Sequence, residues 1–178
     1  MQIESAVYTE SAAGYRSHFH DSHLLLYVTG GAAQVTVGGK CFRAGEGSLV
    51  LISRLEEHAV VPLTEDYRRY VLHLRTGLEH RLSGILVNRA SGFRNVVHLP
   101  QAQPLLERIF KEFSASSPWR EEMLDALLQQ LLVLVCRAMP GAVEEDSPAG
   151  RVVRRIQKQF EENCAESYSL AALAETRP

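Results

Sequence analysis

Between residues 3 and 75 the apolar and polar positions change in short runs with a period near two, and from about residue 100 the apolar positions recur every three or four residues. The first rhythm belongs to strands and the second to helices, because side chains alternate across a strand and return to one face of a helix each turn. Eight runs read as strands: 3–9, 15–20, 24–29, 33–37, 41–43, 48–52, 58–63 and 67–75. Gly30-Gly31, Gly38-Gly39 and Gly45-Glu46-Gly47 separate several of them as turns. Strands this short and this closely spaced predict an antiparallel double-sheet sandwich or small barrel. Residues 76–99 carry no clear period.

The helical half begins after Pro104, where Leu105, Leu106, Ile109, Phe110 and Phe113 share one face. Ser117-Pro118 reads as the cap of a longer helix reaching Met139, which Pro140-Gly141 ends. In that helix Leu124, Leu127, Leu131, Leu134 and Ala138 follow the alternating three-and-four spacing of a helix-helix seam. Met123, Leu128, Leu132 and Val135 make a second apolar row. One row packs on the barrel or the preceding helix, and the other is expected to meet a partner, so Leu124, Leu127, Leu131 and Leu134 are assigned to a homodimer interface.

Residues 142–148 are acidic and aperiodic, as befits a linker. Beyond them Val152, Ile156 and Phe160 define the apolar face of another helix, started by Ser147-Pro148. Its opposite face carries Arg151, Arg154, Arg155 and Lys158, which could lie along a phosphate backbone. A second short helix, 169–175, follows, and the two look like the first half of a helix-turn-helix. The chain is expected to stop before that module is complete.

Composition adds limits. With 178 residues, 46% hydrophobic and 22% charged, the chain can hold one full core and a small appendage. The start, Met1-Gln2-Ile3-Glu4, lacks a basic leader, and the run from Leu131 to Cys136 is too short to span a bilayer, so a cytoplasmic protein with no membrane partner is expected. Cys41, Cys136 and Cys164 are scattered and odd in number, which reads as reduced thiols. A net charge of −2 restricts any DNA contact to a local patch.

Ile156-x3-Phe160-x-Glu162-Asn163, followed by Ser169-Leu170-x2-Leu173-Ala174, resembles the start of the DNA-binding domain of AraC-type transcription regulators. His18-Phe19-His20, the run from Leu24 to Gly31, Gly45-Glu46-Gly47 and His58 resemble the two motifs of a cupin barrel, which in that family precedes the helices and senses a small molecule. The resemblance implies an α+β fold: a cupin-like double-stranded β-barrel (1–99), antiparallel dimerisation helices (100–140), a linker (141–149) and an incomplete helix-turn-helix segment (150–178). It implies a ligand-responsive regulator, not an enzyme, with a small-molecule effector, a homodimer and, in the full-length form, double-stranded DNA as partners.

His18 and His20 are two apart and share a strand face, and His58 would join them from a later strand. Leu24, Leu26 and Val28 have the same parity and should line the interior, whereas Leu25 and Tyr27 should meet another layer. Tyr70, with Phe42 and Val60, is added to the lining without a fixed register. His18, His20, Leu24, Leu26, His58 and Tyr70 are thus the expected effector-binding residues. No cofactor is expected. If a metal were bound, His18, His20 and His58 would hold it, but the metal-binding cupin pattern has a glutamate where Leu24 stands, and Ala44 replaces a proline of its second motif. The competing reading is a metal-dependent cupin enzyme or isomerase using the same three histidines.

Overall fold

A computed structural model describes residues 2–10, 14–75 and 95–139. Nine strands are present among them: β1 (Gln2–Thr9), β2 (Tyr15–His18), β3 (His23–Gly30), β4 (Ala32–Val37), β5 (Lys40–Gly45), β6 (Ser48–Ile52), β7 (His58–Pro62), β8 (Arg68–Arg75) and β9 (Val96–His98). Two helices follow, α1 (Gln103–Ser114) and α2 (Arg120–Ala138). The strands form two antiparallel sheets, ordered β1-β8-β3-β6-β9 and β2-β7-β4-β5. The hairpin from β4 to β5 pairs Val37 with Lys40 across Gly38 and Gly39. Both glycines have φ > 0, the backbone a tight two-residue hairpin requires.

Strand parity divides the core in two. Leu24, Leu26 and Val28 of β3 and Val50 and Ile52 of β6 join Val35, Val37 and Val60 in one cluster, which lies on the face the five-stranded sheet turns to the four-stranded one. Leu25, Tyr27, Leu49, Leu51, Leu72 and Leu74 point the opposite way and cluster with Leu106, Ile109 and the apolar side of α2. Strands β3 and β6 are therefore apolar on both faces and show little polar alternation.

β9 was not legible in the sequence. It adds to the edge of β6 by pairing Ser48 with His98 and Val50 with Val96. Asn95 reinforces that edge, its side-chain amide donating to the Leu51 carbonyl at 2.9 Å.

Two expectations for the helices are corrected. Ser117 does not cap α2: its hydroxyl bonds the Glu112 carboxylate, and Trp119, in a left-handed conformation at φ 60°, precedes the helix. Arg120 instead closes the end of α1, donating to the carbonyls of Phe113 at 2.6 Å and Glu112 at 3.3 Å. A guanidinium suits that position because the last helical carbonyls lack intrahelical partners and carry partial negative charge. The second correction concerns Leu124, Leu127, Leu131 and Leu134. The first three are buried within their own subunit and the fourth packs against the same cluster, so this row is core. Leu128, Leu132 and Val135 are buried too. A helix that shares a core with a sheet and a second helix buries residues of both rows, and in the second row Met123 alone, at 44%, stays exposed.

The chain divides into two compact units, Met1–Val143 and Glu144–Pro178. The outer face of the five-stranded sheet shares one cluster with the helices, and both belong to the first unit. The expected linker and helix-turn-helix segment, with Arg151, Arg154, Arg155 and Lys158, lie outside the described residues. Among the described residues no helix is long and apolar enough to cross a membrane.

Candidate functional site

β2 ends on His18 and β7 begins on His58, and the antiparallel pairing of these strands sets the two residues directly opposite each other. Their ring centroids are 4.4 Å apart. His20 lies two residues past the end of β2, so strand parity does not place it. The turn that follows does: Leu55 N–H donates to the His20 carbonyl at 2.9 Å, tying it to the loop before β7. The His20 ring then lies 4.9 Å from that of His58 and 5.8 Å from that of His18. One ring nitrogen from each of the three lies within 4.8 Å of the others. The group runs from exposed His18 through half-buried His20 to His58, which is 2% exposed.

The same kind of contact orients all three rings. Nδ1 of His18 is 2.8 Å from the Arg16 carbonyl, Nδ1 of His20 is 3.0 Å from the Ser22 carbonyl, and Nδ1 of His58 is 2.9 Å from the Glu56 carbonyl. A carbonyl can only accept, so each Nδ1 carries the proton and donates it. Burial pushes the His58 imidazole down to about 4, with the neighbouring His18, His20 and His73 adding to the shift. It is neutral at pH 7.

His73 is a fourth imidazole that the sequence reading missed. It stands on β8 beside Leu24 of β3, its ring centroid 4.7 Å from that of His20 and its Nδ1 2.9 Å from Ser22 Oγ. Burial lowers its pKa, and so does His20 beside it. Arg69, on the same face of β8 and fully buried, was missed as well. Its guanidinium lies 4.8 Å from the Tyr67 ring centroid and 5.2 Å from that of Tyr15. Burial pushes the Tyr67 hydroxyl up to about 12 against the opposing pull of Arg69. At ~3.3 Å per residue, four residues along β8 put roughly 13 Å between the histidine end of this inner face and its arginine end.

Of the expected effector-binding residues, His18, His20 and His58 come together, and Leu24 and Leu26 lie on the inner face. Tyr70 does not join them. β8 turns 69, 71 and 73 inward, so Tyr70 faces the helical side and packs 4.5 Å from Phe110 and 4.9 Å from Tyr8, centroid to centroid. Alternation along β8 was the available signal: Tyr70, Leu72 and Leu74 are the apolar parity that suits the helices, and Arg69 and His73 fall on the other. His23, of the parity of Leu25, accepts the Arg54 N–H at 3.2 Å.

Comparison with solved structures shows the fold. ToxT from Vibrio cholerae superposes with a TM-score of 0.61 over 98% of this chain and 69% of that one, at 8% sequence identity. ToxT from Vibrio cholerae O395 bound to (E)-4-(8-methylnaphthalen-1-yl)but-3-enoic acid gives a TM-score of 0.59, also at 8% identity, covering 98% of this chain and 70% of that one. A search of curated protein sequences finds no match to the chain. The architecture is a cupin-like β-sandwich with two helices. The family model described as the AraC-like ligand binding domain matches residues 4–132, most of the chain, and the chain belongs to that family.

Proposed function

We propose that this chain is the sensing part of an AraC-type transcription regulator, a binding module and not an enzyme, that takes a small-molecule effector between its two sheets. The observation that carries the reading is the composition of the inner face in a domain of this family. Leu24, Leu26 and Val28 make it apolar, the histidines bring polar groups to one end and Arg69 brings a buried cation to the other. An apolar surface with a few placed polar groups is the usual form of a small-molecule site. An effector with an apolar body and an anionic group matches it.

In this reading the effector shifts the balance between DNA-binding and non-binding arrangements, by no more than its differential affinity for the two. Contact with DNA falls to the segment beyond residue 150, where Arg151, Arg154, Arg155 and Lys158 would meet phosphates. Pairing of two copies falls to the start of α2, where Trp119 is 77% and Met123 44% exposed, in place of the row that the core absorbs.

Thermal denaturation against a panel of small carboxylic acids tests the effector site. A true effector at about a hundred times its dissociation constant stabilises the fold by ~2.7 kcal/mol, a rise of several degrees. Leu26→Arg, which fills the inner face, should abolish the rise. The same effector should change the affinity of the native protein for a selected operator duplex but not for a scrambled one. A stabilising acid that acts equally on Leu26→Arg, or leaves operator affinity unchanged, refutes the proposal.

A further inference from the structure

We propose that the effector is a carboxylic acid carrying an aryl ring, and that this ring packs on the guanidinium of Arg69 in the place the Tyr15 side chain now occupies. The proposal rests on the reading of the inner face as an effector site and narrows the chemistry of what enters it.

Two aromatic rings meet the guanidinium, and they differ in how firmly they are held. Its central carbon lies 4.8 Å from the Tyr67 ring centroid and 5.2 Å from that of Tyr15. Both distances fall within the ~6 Å over which a cation is drawn to an aromatic face. Tyr67 is fully buried in the inner cluster, so its contact is fixed. Tyr15 is 49% exposed, opens the edge strand β2, and is held by ring contacts, to Arg69 and to His18 at 6.2 Å between centroids.

The sandwich is open beside this ring. β1 and β2 are the edges of their sheets, and Tyr15 reaches Arg69 on the strand next to β1, so the two edges lie on the same side. Val7 pairs with Val71 and Tyr15 with Val60, which turns both toward the space between the sheets. Val7 is nevertheless 50% exposed, whereas Val35, Val50 and Val60 on the same inner cluster are buried. An outward swing of the Tyr15 side chain therefore admits a molecule to Arg69 without parting either sheet.

Whatever takes the place of a tyrosine ring against a guanidinium has to restore the attraction that ring supplied. A saturated body sets apolar carbon against the cation, and an aromatic ring replaces like with like. An acid group on a short tether then meets the same charge. One guanidinium can hold both, because its face attracts the ring and its N–H edge the carboxylate.

The test is calorimetric titration of the native protein with matched acids, phenyl- and cyclohexyl-alkanoates of equal chain length. The cyclohexyl acids have more apolar surface, so burial alone favours them. The wild type should instead bind the better phenyl acid about tenfold more tightly than its cyclohexyl partner. Arg69→Met removes the cation for both acids alike and should bring that ratio within about twofold. Tyr15→Ala should bind the phenyl acid roughly two- to fivefold more tightly than the wild type, since no ring has to leave, and Tyr15→Phe should match the wild type. Circular dichroism checks folding; should Arg69→Met not fold, the wild-type ratio and the gain in Tyr15→Ala decide. Equal affinity for the paired acids in the wild type, an unchanged ratio in folded Arg69→Met, or no gain in Tyr15→Ala overturns the proposal and leaves the effector site standing. Binding of neither series removes the effector reading, and this proposal with it.

Discussion

Leu131→Ala discriminates between a core helix and an intersubunit seam. Leu131 is 0% exposed within a single chain and belongs to the cluster that joins α2 to α1 and to the outer face of the five-stranded sheet. The substitution removes three carbon groups at ~0.8 kcal/mol each, about 2.4 kcal/mol of transfer free energy. A residual void of roughly 50 Å³, at ~24 cal/mol per Å³, adds about 1 kcal/mol. The expected loss is thus about 3–4 kcal/mol, a large share of a typical domain stability of ~5–15 kcal/mol. With a urea m-value near 2 kcal/mol/M, the midpoint should fall by ~1.5–2 M. Circular dichroism in urea reads the midpoint, and sedimentation velocity at several protein concentrations reads association. The variant should lose stability at every concentration without a change of oligomeric state under native conditions. An unchanged urea midpoint together with a lower sedimentation coefficient would show that Leu131 lies in a seam between subunits and that its burial in the core is wrong.

Two further outcomes are expected. Arg120→Ala removes the donors from the final carbonyls of α1 and should cost about 1–2 kcal/mol in urea unfolding, with Arg120→Lys recovering only part because an ammonium cannot reproduce the fork; wild-type stability in Arg120→Ala would refute the capping role. His23 is pushed down to about 4 from 6.5, first by burial and then by Arg54, so in acid the unfolded chain takes up its proton before the folded one does. Stability is full above pH 6.5 and declines as pH falls toward 4, by about 3 kcal/mol in all from this residue. His23→Gln should flatten unfolding free energy against pH by ~1.4 kcal/mol per unit across that window, and an unaltered slope would show that the ring is not buried in its neutral form.

Strand and helix positions were legible in the sequence because period is a local property. Leu24, Leu26 and Val28 separate from Leu25 and Tyr27 as parity requires, and the glycine turns bound the strands where the backbone needs them. The meeting of His18 with His58 was legible as well, since a shared motif and a later return strand both pointed to it. Period says which residues share a face, but not what that face meets, and there the tertiary structure decides. The two apolar rows of α2 looked like one row too many, yet all of the second but Met123 is buried within the subunit. Tyr70 and His73 sit on opposite faces of β8; alternation separates them, and the pairing of that strand with β3, which puts His73 beside Leu24, fixes His73 on the side of the histidines. His20 owes its place to a turn and not to strand parity, and β9 is held by its pairing with β6, whose residues lie more than forty positions earlier. Each of these depends on contacts between residues distant along the chain, whose register no local pattern encodes.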